Sequence, residues 1–167
     1  MKSTILAAAL ATAASAASAA SIAEIATNDG RFGTLLAAVE AAGLTETLAG
    51  PGNFTVFAPV DDAFAALPEG TVETLLQPEN RDQLTDVLLY HVDDRVLTSN
   101  QLPGGSILVK PILESARLCV TSGPGGVTVG DSTDAVANVV IADIAADNGV
   151  IHVVDKVLLP GARPDCH

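Results

Sequence analysis

Two histidines inside apolar runs, an adjacent pair of aspartates and two cysteines are the side chains whose chemistry has to be accounted for: His91 in LLYHV, His152 in VIHVV, Asp61-Asp62 in APVDDAF, and Cys119 and Cys166. A catalytic carboxylate pair needs two acids facing one another across a cleft, in environments that drive their pKa values apart, whereas adjacent helix residues diverge by roughly 100°. Asp61 follows an extended Ala-Pro-Val segment and precedes DAFAAL, so it is expected to cap a helix, accepting open N–H groups of the first turn and complementing the dipole.

Histidine is the usual ligand or proton shuttle near neutral pH. His91, however, takes the next place on the apolar stripe Leu84, Val87, Leu88, and His152 has apolar neighbours on both sides of a strand. Both read as core histidines with hydrogen-bond partners. Zinc is not supported, because the spacing has neither HExxH nor a Cys/His cluster and His167 is terminal. Asp131, Asp134, Asp143 and Asp147 do not fit the calcium-loop spacing and are expected to be solvated turn carboxylates. There is no G-x-S-x-G, and the glycines of SGPGGVTVG lack the G-K-[ST] ending of a phosphate loop and make a hairpin turn instead. No cofactor, metal or catalytic centre is therefore expected, and the chain does not read as an enzyme.

The elements that position these residues come from periodicity. SIAEIATNDG reads as a short helix ended at Asn28-Asp29-Gly30, and RFGTLLAAVEAAG places Phe32, Leu35, Leu36 and Val39 on one helical face that stops at Gly43. Phe54 to Ala58 is too short for a helix and has strand composition; Pro59 ends it. Val72, Leu75 and Leu76 mark a short helix with Thr71 as its cap, and PENRDQLTDVLLYHV a longer one. Beyond Asp93-Asp94 the chain turns to short β-rich runs, ILV, RLCV, VTV, ANVVIADI and VIHVVDKVLL, punctuated by glycine clusters and Asn148-Gly149. Helices in the first half, strands in the second and no βαβ alternation make the fold class α+β.

The 167 residues suit one domain with a real core. A formal charge of −12 and an isoelectric point near 4.3 exclude nucleic acid as a natural partner. With 49% hydrophobic residues and a mean hydropathy of +0.41, the charge belongs to the surface of a folded domain. MKSTILAAALATAASAASAAS has a positive start, an apolar stretch of about ten residues and small residues fitting cleavage at Ala17-Ser18-Ala19; spanning a bilayer takes roughly 20. Residues 1–20 are therefore expected to be a cleaved signal peptide, 21–161 one domain and 162–167 a short tail. The mature chain is expected to be a soluble monomer outside the cytoplasm, in the periplasm or at the cell surface if the source is a Gram-negative bacterium, with no stable membrane insertion. Export permits a disulfide between Cys119 and Cys166, closing a loop of about 48 residues at a gain of roughly 4 kcal/mol, with two free thiols as the alternative.

NFTVFAPVDDAFAAL, LLYHV and NGVIHVVDKVLLP, in that order, resemble the conserved blocks of the fasciclin domain, from about Ile22 to Pro160. Val60 departs from the pattern, standing where the family commonly has threonine or serine. The resemblance implies a compact wedge or sandwich of β-strands with several helices beside it. It further implies a non-catalytic extracellular module of adhesion, binding a cell-surface or matrix protein or polysaccharide. The stretch around the family's tyrosine-histidine pair, implicated in receptor binding, makes Tyr90, His91, Asp93, Asp94 and Arg95 the candidate contact residues, with Asp93 to Arg95 as the exposed part. Thr55, Asp61 and His152 are expected to form one polar network joining the first and last blocks, since a buried imidazole needs partners. The competing readings are a small-ligand or lipid carrier, which calls for a large apolar cavity, and a hydrolase, which calls for converging acids and histidines.

Overall fold

The computed structural model describes residues 20–133, 136–161 and 166. The expected signal peptide before Ala20, Asp134, His167 and most of the tail lie outside them. Helix α1 (Ile22–Asp29) opens with a capping box, in which the Ser21 hydroxyl accepts the Glu24 N–H and the Glu24 carboxylate accepts that of Ser21, and it ends on Gly30. Helices α2 (Gly33–Ala42) and α3 (Thr45–Ala49) meet at Gly43, whose φ of +74° favours glycine. After strand β1 (Phe54–Pro59) come α4 (Asp61–Ala65), α5 (Thr71–Leu75), a 3-10 turn at Pro78–Asn80 and α6 (Arg81–Tyr90). The α5 N-cap is Gly70 rather than Thr71.

Asp61 corrects an expectation. The N-cap of α4 is Val60, which makes no side-chain cap bond, while Asp61 turns its carboxylate onto the start of α2, where Oδ1 accepts the Thr34 N–H at 2.8 Å. The backbone N–H of Asp61 donates to the Arg31 carbonyl at 2.9 Å, and a Cβ on Gly33 would lie 3.6 Å from the carboxylate. Asp61 thus caps a neighbouring helix rather than its own.

The remaining strands are β2 (Val92–Asp93), β3 (Gly105–Val109), β4 (Leu118–Gly123), β5 (Gly126–Gly130), β6 (Val136–Ala146) and β7 (Gly149–Val154). They form one sheet in the order β2-β1-β7-β6-β5-β4-β3, antiparallel except for β1 against β7. That parallel pair places the first and last sequence blocks side by side, with Phe57 opposite His152. Gly149 is required there: a Cβ would fall 1.9 Å from the Phe54 carbonyl oxygen. Irregularities in the β6–β7 register, between Val139 and Ile144, let the sheet bend.

Two cores result. Val56, Ala58, Ile151 and Val153 on one face of β1 and β7 pack against Leu35 and Val39 of α2 and Leu84 and Leu88 of α6. On the other face Phe57 and Val154 join Tyr90, Leu118, Val120, Val129 and Leu158. Cys119 on β4 is disulfide-bonded to Cys166, with Cα atoms 5.4 Å apart, tying the tail to the sheet. The architecture is α+β. Among the described residues no helix is long and apolar enough to cross a membrane.

Candidate functional site

Tyr90 ends α6 and His91 caps it, and neither reaches the surface: they are 0% and 2% exposed. They cannot touch a partner directly, which corrects their placing among the contact residues. The Tyr90 hydroxyl donates to the Arg117 carbonyl at 2.7 Å, and burial raises its pKa. The Leu158 N–H donates to His91 Nε2 at 2.8 Å; Nδ1 therefore carries the proton and donates to the Val87 carbonyl at 2.7 Å. Burial, the largest influence, pushes the His91 pKa down to about 4, so the imidazole is neutral at physiological pH.

The chain then crosses the rim of the sheet, and side chains from four strands hold three alternate residues of it, Arg95, Leu97 and Ser99. Asp93 on β2 is fully buried, not exposed as expected. Its carboxylate turns inward because Oδ1 accepts the Arg95 N–H at 2.9 Å, while the Arg95 guanidinium approaches both oxygens at 3.0 Å. The Thr55 hydroxyl, on the neighbouring β1, donates to the Arg95 carbonyl at 2.5 Å and accepts the Leu97 N–H at 2.8 Å. His152 on β7 donates from Nε2 to the Leu97 carbonyl at 2.6 Å, its Nδ1 accepting the Asp143 N–H at 3.3 Å. Phe57 stacks on the same ring, with centroids 5.7 Å apart.

Asp143 completes the clamp. It lies at a β6 irregularity with φ of +58° and accepts the Ser99 N–H at 2.7 Å as well as the Ser99 hydroxyl. The desolvation that Asp143 suffers, though exposed, opposes its charge, but the Ser99 bonds outweigh this and hold its pKa below the ordinary carboxylate value. Thr55 and His152 thus meet on one loop segment, while Asp61, on α4, stands apart and is bonded to the start of α2. Asp94, Asn100 and Gln101 remain exposed, and the Arg95 side chain is 55% exposed above the buried Asp93.

Asp143 is exposed, as expected of a solvated carboxylate, although it is tied to Ser99; Asp131, expected to be solvated too, is not. Asp131 is 1% exposed and accepts bonds from the Thr133 amide and hydroxyl, the Lys156 ammonium and the Leu159 N–H. Burial opposes its ionisation, but these donors prevail and lower its pKa. It fastens the closing segment after β7 to the turn after β5. The roles of both acids were missed because Ser99, Lys156 and Leu159 are remote from them in sequence; the local signals were an aspartate inside the apolar run ANVVIADIAA and Thr133 two residues after Asp131.

Among the described residues no group of three or more His, Cys, Asp or Glu side chains is placed to hold a metal ion. A cavity of about 70 Å³ lies between the helices and the inner face of β1 and β7, lined almost wholly by apolar side chains.

A model of the fasciclin domain matches residues 30–160. Protein sll1483 of Synechocystis sp. is 47% identical over 136 residues, covering 81% of this chain and 71% of that protein. The transforming growth factor-beta-induced protein ig-h3 of Sus scrofa is 43% identical over 135 residues, which cover 81% of this chain and 18% of the relative. The solved FAS1 domain pair of the insect cell adhesion molecule fasciclin I superposes with a TM-score of 0.59 at 20% identity, over 75% of this chain and 45% of that one, a likeness of fold alone. The arrangement of β1 beside β7, the buried tyrosine-histidine corner and these matches lead to one assignment: the chain belongs to the fasciclin domain family.

Proposed function

We propose that this chain is an exported, non-catalytic adhesion or interaction module. Its contact surface is the rim of the loop from Asp94 to Gly104, and its partner is a cell-surface or matrix protein or polysaccharide. The observation that carries the reading is the clamp: Asp93, Thr55, His152 and Asp143 hold the backbone of residues 95–99 and leave Asp94, Asn100 and Gln101 facing outward. A connecting segment ordinarily keeps its freedom, and fixing it in advance reduces the entropy lost on binding. Family membership supports the class of function, since fasciclin domains are typically modules of adhesion and matrix proteins, but the fold does not choose the partner.

The carrier reading has the apolar cavity in its favour, but about 70 Å³ is far too small to enclose a whole lipid. The test of the contact reading is saturable attachment of the purified exported chain to a surface extract of its source. Asp94→Lys is expected to weaken half-saturation by about tenfold while leaving the melting temperature unchanged, because an exposed side chain with no structural role contributes within about 0.5 kcal/mol. Attachment equal to that of the parent would remove Asp94 from the contact surface.

A further inference from the structure

The cavity beneath α1 and α3 adjoins an open surface groove, and its surroundings carry chemistry that the contact loop does not use. Its floor is buried and aliphatic, formed by Ile22, Ala26, Leu35, Leu48, Val56 and Ile151. Thr27 and Thr45, both exposed, line the cavity and also an open surface groove between α1 and α3. The other side chains of that groove include Glu24, Asn28 and Asp147, and among the described residues no lysine or arginine lines it. An apolar space and an acidic groove thus lie side by side, sharing Thr27 and Thr45 as wall residues.

We propose that this is a binding site for a short cationic amphiphile, an aliphatic chain carrying an ammonium head. The size sets the tail: about 70 Å³ admits a few heavy atoms of chain, given that about 10–15 Å³ holds one water-sized sphere. The lining sets its character, because a space walled by aliphatic side chains offers water no partners and takes apolar matter instead. The adjoining groove sets the head. Glu24 is kept ionised by the N–H and hydroxyl of Ser21, which lower its pKa, and Asp147 adds a second carboxylate to the groove. With no basic side chain there, a carboxylate head meets repulsion, an alcohol is neutral and an ammonium is attracted.

The probes are hexylammonium, hexanol and hexanoate added to the full exported chain, read by the rise in melting temperature with concentration and by NMR shifts of the Ala23, Ala26 and Leu48 methyl groups. A ligand that binds only the folded state raises stability in proportion to the logarithm of its concentration over Kd. Hexylammonium is expected to bind about two- to fivefold more tightly than hexanol, the modest ratio appropriate to solvent-exposed charges, and hexanoate more weakly than either. Ala26→Leu fills the floor and is expected to abolish the response to hexylammonium. Should that variant fold poorly, Glu24→Gln with Asp147→Asn keeps the capping acceptor and is expected to equalise hexylammonium and hexanol without abolishing hexanol binding. Hexanoate binding as tightly as hexylammonium, methyl shifts located elsewhere, or no response to any probe would each overturn the proposal. None of these results bears on the contact loop, which lies on a different face of β1 and β7.

Discussion

His91 and His152 are both buried imidazoles that accept a backbone N–H on one nitrogen and donate to a carbonyl from the other, yet they do so in opposite tautomers and for opposite ends. His91 accepts on Nε2 from Leu158 and joins the end of α6 to the closing segment, so its bonds run between parts of the core. His152 accepts on Nδ1 from Asp143 and grips the Leu97 carbonyl, so its bonds run from the sheet to a rim that also carries exposed residues. Similar chemistry thus holds the body in one region and shapes a surface in the other.

That contrast breaks first at His91. His91→Leu deprives the Leu158 N–H of its acceptor in the interior, and equilibrium denaturation is expected to show a loss of about 2–4 kcal/mol. A comparable effect is expected from pH. Because the folded His91 pKa lies near 4, below the ordinary 6.5, the unfolded chain takes up the proton first as pH falls. Stability from this group is complete above about pH 6.5 and declines toward pH 4, by about 3 kcal/mol, and His91→Leu should flatten that slope. A parent whose stability is level across the window would contradict the neutral buried imidazole.

Smaller effects are expected at the loop clamp. Thr55→Val keeps the shape but removes the acceptor of the Leu97 N–H and the donor to Arg95, at a cost of about 1–3 kcal/mol. His152→Leu should cost about 1–2 kcal/mol through the lost bonds to Leu97 and Asp143. In amide exchange, Thr55→Val should speed the Leu97 N–H far more than the N–H groups of α6, whereas His91→Leu should affect both regions alike. The smallest stability change belongs to Asp94→Lys, within about 0.5 kcal/mol, with its effect confined to attachment.

Periodicity made much of the fold legible: the stops at Gly30 and Gly43, the strand ended by Pro59 and the β-rich second half all correspond to the observed elements. The core character of both histidines was legible too, because each sits at a place where the repeat of its element demands an apolar neighbour. The acids were not. Asp61 reads locally as the cap of its own helix, but the chain brings it to Thr34, 27 residues away. Asp131 reads as a solvated charge until the fold buries it against Leu159, 28 residues away, and Asp143, which does stay exposed, gives no local sign of its bond to Ser99 across 44 residues. Asp93 was expected to be exposed because the apolar stripe ends at His91; strand pairing with Thr55 turned its side chain inward and left Asp94 outside.

The central claim, that the clamped loop is the contact surface, is tested most directly by the attachment of Thr55→Val, measured at a temperature where the variant is fully folded. Faster exchange at the Leu97 N–H should be accompanied by several-fold weaker attachment to the surface extract. Faster exchange with attachment equal to the parent's would contradict the account.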